Sequence, residues 1–133
     1  MQLSNKIKDI LSLNNFDLIH LSSVDSTMKE IKKYIGSKNI CMIADKQTSG
    51  VGRRGNKWIS PKGNVYISFL LKYKLSIKNH FLFSAFTANS ITEFLKKYIN
   101  ENINIKWPND ININNKKIAG IMTEIIEKNN VKY

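Results

Sequence analysis

The sequence predicts an α+β fold, a mixed and mostly antiparallel sheet with helices packed against it. Three observations predict it. Apolar runs of strand length recur over residues 39–45, 64–73 and 103–107. Helical periodicity fills other stretches, the longest over residues 79–98. Asn114-Asn115 and Lys128-Asn129-Asn130 separate short strand-like segments, where a two-residue turn sets neighbours antiparallel.

The elements follow in order. Residues 3–13 carry Leu3, Ile7, Ile10 and Leu11 on one side of a short helix, ended by Asn14-Asn15. Phe16 to Val24 alternates and then breaks, as a strand does. Asp25-Ser26-Thr27 opens a second helix, with Glu30 spaced to complete a capping box with Thr27 or to favour the first turn. Its apolar positions are Met28, Ile31, Tyr34 and Ile35, and Gly36 stops it. Asn39 to Asp45 reads as a buried strand. Lys46 to Gly63 reads as a loop whose core residues are Trp58 and Ile59. Asn64 to Tyr73 is a strand. The helix over 79–98 has a broad apolar face of Phe83, Phe86, Ile91, Phe94, Leu95 and Tyr98. Ile103 to Trp107 is a strand interrupted by Pro108, and Asp110–Ile113 pairs with a strand over 117–126. A returning strand starts at Val131.

At 133 residues the chain suits one domain with a real core. Its net charge of +11 favours an anionic partner, although heavy use of Ile, Lys and Asn offers codon bias as a competing explanation. A single cysteine excludes an internal disulfide and fits a reducing compartment. Cys41 lies in the apolar run Ile40–Ile43, as a packed core thiol does. No apolar run reaches the roughly 18 residues of a membrane span, and no signal peptide is recognisable. The expected location is cytoplasmic.

Four stretches carry chemistry. The first is the glycine-rich basic loop within Ala44–Leu70, where Gly50, Gly52 and Gly55 surround Arg53 and Arg54. Glycines allow close backbone approach, and arginine forks match phosphate and carboxylate oxygens. The spacing Gly50-x-Gly52-x-x-Gly55 matches a dinucleotide fingerprint, but a strand rather than a helix follows it. A flap closing over a phosphate is the remaining sense; a mobile, solvated basic loop is the plain alternative. The second is Lys106-Trp107-Pro108-Asn109-Asp110, either a turn with a core tryptophan or a polar pair aimed into a pocket lined by Trp107. The third is Lys117-Ile118-Ala119-Gly120-Ile121, with Lys117 either solvated or offsetting phosphate charge. In the fourth, Asp25-Ser26-Thr27, the hydroxyls either cap the helix or bond a polar ligand.

In this order and spacing, the four stretches together resemble the catalytic domain of biotin protein ligases. The matching residues run from Asp25-Ser26-Thr27 through Gln47-Thr48-Ser49-Gly50-x-Gly52-Arg53-Arg54-Gly55-x-Lys57-Trp58 to Lys106–Asp110, Lys117–Ile121 and Glu124. The resemblance implies the class II aminoacyl-tRNA synthetase and biotin ligase fold. It implies a two-step reaction: biotin and Mg2+-ATP give biotinyl-5′-AMP, and the acyl group passes to a lysine of a biotin carboxyl carrier protein. It places Ser26, Thr27, Gln47, Gly50, Arg53, Lys117 and Gly120 at biotin. It places Arg53, Arg54, Trp58, Asn109, Asp110 and Lys117 at the nucleotide, with Arg53 and Lys117 central to catalysis and no direct metal ligand assigned. Residues 1–133 would be the first part of that catalytic domain, truncated at the C-terminus, with no N-terminal DNA-binding domain and no C-terminal β-barrel. Neither DNA nor a membrane is an expected partner. Val51 and Asn56 stand where many relatives carry basic residues. A basic nucleic-acid-binding domain and a lipoate-type acyl ligase are the alternatives.

Overall fold

Asn39–Ala44 (β2) lies between Phe16–Leu21 (β1), to which it is parallel, and Tyr66–Leu70 (β3), to which it is antiparallel. These strands belong to a computed structural model that describes residues 5–72 and 81–133. The chain divides into two units, Met1–Lys74 with Ile126–Tyr133, and Leu75–Ile125. Expectations falling on residues 3, 4, 73, 79 and 80 lie outside the described residues. Among the described residues, no helix is long and apolar enough to cross a membrane.

In the first unit, the central position of β2 explains its unbroken apolar run, because both of its faces are covered. On one face Ile40 and Met42 pack with Ile31 and Leu70; on the other Cys41 and Ile43 meet Leu11, Phe16 and Leu18. Parallel strands need a long crossover. Residues 22–38 supply it with α2 (Thr27–Glu30) and a 3-10 turn (Ile31–Tyr34), and Gly36 ends the crossover helix at φ 103°. The first helix, α1 (Asn5–Leu13), ends as expected: Asn15 takes φ 58°, and the Asn14 side chain donates to the Ile10 carbonyl at 2.8 Å. Of the described residues on its apolar side, only Leu11 reaches the core. Strand β3 alternates, with Tyr66, Ser68 and Leu70 buried and Ile67 and Phe69 outward. A hairpin of Glu127–Lys128 (β7) and Val131–Lys132 (β8) turns at Asn129 and Asn130, φ 53° and 59°.

In the second unit, Phe81–Leu95 (α3) packs on an antiparallel meander of Ile103–Lys106 (β4), Asp110–Ile113 (β5) and Lys116–Gly120 (β6). Ala88, Ile103 and Ile111 form its core. Asn114 and Asn115 turn β5 into β6 with φ 49° and 65°, the left-handed pair that a two-residue hairpin requires.

The α+β class and its mixed strand pairing are as the sequence predicts. Several details differ. The buried stripe of α3 is Ser84, Ala88 and Thr92, with Ile91 and Leu95 beside it. The expected aromatic face is exposed, Phe86 by 77% and Tyr98 by 73%. Small residues at four-residue spacing let the helix lie close to the sheet, and apolar residues nearly all round the helix leave the pattern without a clear direction. Strand β6 stops at Gly120 rather than 126. Ile59 is 81% exposed, so of the loop's two expected core residues Trp58, half-buried, is the sheltered one.

Candidate active site

The glycine loop is a hydrogen-bonded hairpin. Gln47 N donates to Ser60 O at 3.0 Å, Trp58 N to Gly50 O at 2.8 Å, and Gly52 N to Asn56 O at 2.6 Å. Val51 bridges Lys57. The tip is a single turn, Arg53–Gly55, with Arg54 and Gly55 at φ 58° and 76°. No helix follows the glycines, so the dinucleotide match stays a coincidence of spacing. The two guanidinium groups stand exposed at the tip of a structured flap, rather than on a loop without internal bonds. Gly50 is needed for space: a Cβ there would lie 2.5 Å from Trp58 O and 2.6 Å from Ser60 Oγ.

The root of this hairpin is polar and largely buried. Ser26, Thr27, Ser60 and Ser68 are all buried. The Gln47 Oε1 accepts from Thr27 N at 2.8 Å and from Thr27 Oγ1 at 3.1 Å. Ser68 donates to Thr27 Oγ1 at 2.9 Å, and Gln47 Nε2 donates to Ser60 Oγ at 2.9 Å. Ser60 in turn donates to Trp58 O at 3.0 Å. Asp25 holds the same turn from outside, accepting from Thr48 Oγ1 at 2.9 Å. Ser26 is the N-cap residue of α2, yet its hydroxyl makes no cap bond, and Thr27 gives its hydroxyl to Gln47. The capping-box expectation therefore fails. Glu30 pairs with Lys33 at 2.7 Å while keeping its place in the first turn.

In the second unit, the turn from β4 to β5 passes through a cis Trp107–Pro108 peptide and delivers Asn109, buried, and Asp110. Asp110 Oδ1 accepts from Asn109 Nδ2 and from Lys117 Nζ, both at 2.8 Å. A bulge creates the second contact. Asp110 pairs with Gly120 and Ile111 with Ala119, but the register shifts before Asn112, which pairs with Lys117. Regular pairing would set Ile118 opposite Asn112 and on the Asp110 face; the extra residue puts Lys117 there instead. Trp107 is 67% exposed and meets Phe81 edge-on, so it is not the core tryptophan of the plainer reading.

Two groups at or beside β2 titrate away from their ordinary ranges. Burial pushes the Cys41 thiol up to about 11, consistent with a packed core residue. The Asp45 carboxyl lies below its usual range, first because His20 Nε2 bonds it at 2.8 Å.

The structure thus groups the expected residues within each unit. Ser26, Thr27, Gln47, Gly50, Arg53, Arg54 and Trp58 belong to one hairpin and its root. Asn109, Asp110 and Gly120 sit at one end of the β5–β6 pair, and the Lys117 side chain reaches Asp110 there. Among the described residues, no three His, Cys, Asp or Glu side chains converge as a metal site. The sequence reading missed Ser60 and Ser68. Ser68 was findable: it sits among Tyr66 and Leu70 on the inward alternation of β3, where a lone serine needs a polar partner.

A family model described as the biotin/lipoate A/B protein ligase family matches residues 21–133. The bifunctional ligase/repressor BirA of Escherichia coli (strain K12) is 33% identical over 132 residues, covering 96% of this chain and 41% of that protein. A biotin–[acetyl-CoA-carboxylase] ligase of Paracoccus denitrificans is 32% identical over 108 residues, covering 78% of this chain and 45% of that protein. Among solved structures, the biotin protein ligase of Aquifex aeolicus in complex with biotin and ATP superposes with a TM-score of 0.73 at 34% identity, covering 87% of this chain and 49% of that one. The chain spans less than half the length of each of these proteins.

Proposed function

The chain belongs to the biotin/lipoate A/B protein ligase family, and from that premise we propose that it activates biotin with ATP and delivers it to a lysine of a biotin carboxyl carrier protein. Residues 1–133 are read as the first part of the catalytic domain. The observation that carries the reading is the hairpin with a cationic tip, Arg53 and Arg54, rooted in the buried Thr27–Gln47–Ser60 cluster. That design joins an anion grip to a fixed polar recognition surface. The protein names and bound ligands among the relatives support the same substrates.

In this reading a biotin carboxylate oxygen attacks the α-phosphorus of ATP; the new acyl–phosphate bond forms as pyrophosphate leaves. Two anions must meet for this, so cations must offset their repulsion. Arg53 holds the carboxylate and then the acyl phosphate, and Arg54 adds charge at the nucleotide. Lys117, kept in place by Asp110, offsets charge on the α-phosphate, and Asn109 and Asp110 border the nucleotide. Each charge-assisted bond contributes roughly 1.5–3 kcal/mol. Ser26, Thr27, Gln47 and the backbone of Gly50 serve the biotin in this reading. Trp58 and the hairpin cover the mixed anhydride and exclude water from it. The carrier lysine then attacks the acyl carbon and AMP leaves, so this chain needs no nucleophile of its own. The exclusively buried, unpaired Cys41 suits a reducing, cytoplasmic setting.

Calorimetry with biotin and with lipoate, ATP present, tests the substrate. Binding of biotin without binding of lipoate is expected. Lipoate binding as tight as that of biotin, or no binding of biotin, overturns the reading.

A further inference from the structure

We propose that Ser60 is a positioning residue that ties the Gln47 amide, whose orientation Thr27 sets, to the glycine hairpin. The backbone N–H of Thr27 can only donate, and it donates to the Gln47 side chain at 2.8 Å. The contacting atom must therefore be the amide oxygen, and the amide nitrogen must face Ser60 Oγ, at 2.9 Å. Ser60 then accepts from Gln47, and its own proton goes to Trp58 O at 3.0 Å. On the other side, Thr27 spends its hydroxyl proton on Gln47 and accepts from Ser68. Every proton along the path points one way, Ser68 to Thr27 to Gln47 oxygen, and Gln47 nitrogen to Ser60 to Trp58 carbonyl.

Aligned hydrogen bonds polarise one another, and a buried network of this kind specifies one arrangement of its members. Gln47 is left with one Nε2–H that has no partner among the described residues and can serve a ligand. The second consequence is mechanical. Ser60 bonds the carbonyl of Trp58, and the Trp58 N–H bonds Gly50 O at 2.8 Å. Gly50 has no Cβ because the space is filled by Trp58 O and Ser60 Oγ. Ser60 thus stands where the polar cluster meets the hairpin that carries Arg53. Without its hydroxyl the Gln47 amide keeps its two bonds from Thr27 but loses its tie to the hairpin.

For its ligand this inference rests on the function proposed above, so one of its two measurements needs no ligand. Hydrogen exchange of the 15N-labelled Gln47 side-chain amide is expected to quicken at least about tenfold in Ser60→Ala, since an Nε2 bond worth about 1.4 kcal/mol is lost. Ser60→Cys keeps the volume with a poor acceptor and serves if the alanine variant does not fold. Unchanged exchange in the folded variant overturns the proposal whether or not biotin binds. The second measurement is biotin affinity in the cycle Ser60→Ala, Gln47→Met and the double variant. Ser60→Ala is expected to weaken biotin about tenfold alone and to have no further effect beside Gln47→Met. Additive losses mean that Ser60 acts on general packing and not through Gln47. If the unmodified protein binds no biotin, the functional reading falls while the exchange measurement still decides the role of Ser60.

Discussion

Substituting Gly50 by alanine puts the hairpin to a direct mechanical test. The added Cβ would stand 2.5 Å from Trp58 O, 2.6 Å from Ser60 Oγ and 3.0 Å from Gln47 Nε2. Ordinary contacts begin at 3.4 Å, so Trp58 O must retreat by 0.9 Å (3.4 minus 2.5). That oxygen is backbone, and its own N–H is bonded to Gly50 O, so relief means parting the two arms of the hairpin. Overpacking of this kind costs about 1–3 kcal/mol. A melting temperature lower by roughly 3–15 °C is expected in a thermal melt. Gly52→Ala is the matched control, since its nearest neighbour, Asn56 O, would be 3.3 Å away. It is expected to lose less than about 1 kcal/mol. A Gly50→Ala variant that melts with the unmodified protein, or a Gly52→Ala variant that loses as much, refutes the crowding on which this account of the hairpin depends.

Cys41 gives the remaining predictions. Fully buried at the centre of β2, its thiol is expected to resist a disulfide reagent at about pH 8 while the protein is folded, and to react stoichiometrically in denaturant. Its ordinary pKa of 9.0 is raised to about 11 by burial, so between those values the unfolded chain has lost a proton that the folded chain retains. Stability therefore falls as pH rises through that window, and the advantage of this protein over Cys41→Ala in urea titrations, set by packing below the window, should narrow within it.

What was legible in the sequence was mostly local. Asn114-Asn115 and Asn129-Asn130 announce their hairpins because asparagine tolerates the left-handed conformation both turns use. Gly36 and Asn15 likewise mark helix ends through their positive φ. The site motifs were legible as an ordered set, and each falls on a turn or strand end that can present it. The missing parts are those decided by partners distant in sequence. Nothing around Ser60 says that it will meet Gln47, 13 residues away, or that Ser68 will meet Thr27, 41 residues away. The side of α3 that is buried was misread because the small residues Ser84, Ala88 and Thr92 matter there through closeness of approach, which apolar counting does not register. The Lys117–Asp110 pair depends on a single-residue bulge, and one shift of register exchanges a lysine for an isoleucine on that face.

The central claim is the proposed activation of biotin, in which Arg53 and Lys117 each offset anionic charge. Biotin-dependent release of pyrophosphate from ATP, measured for the unmodified chain and for Arg53→Ala and Lys117→Ala, tests it most directly. Loss of one charge-assisted bond predicts a fall of roughly 10- to 150-fold in each variant. Release that does not depend on biotin, or that is unchanged in both variants, contradicts the account.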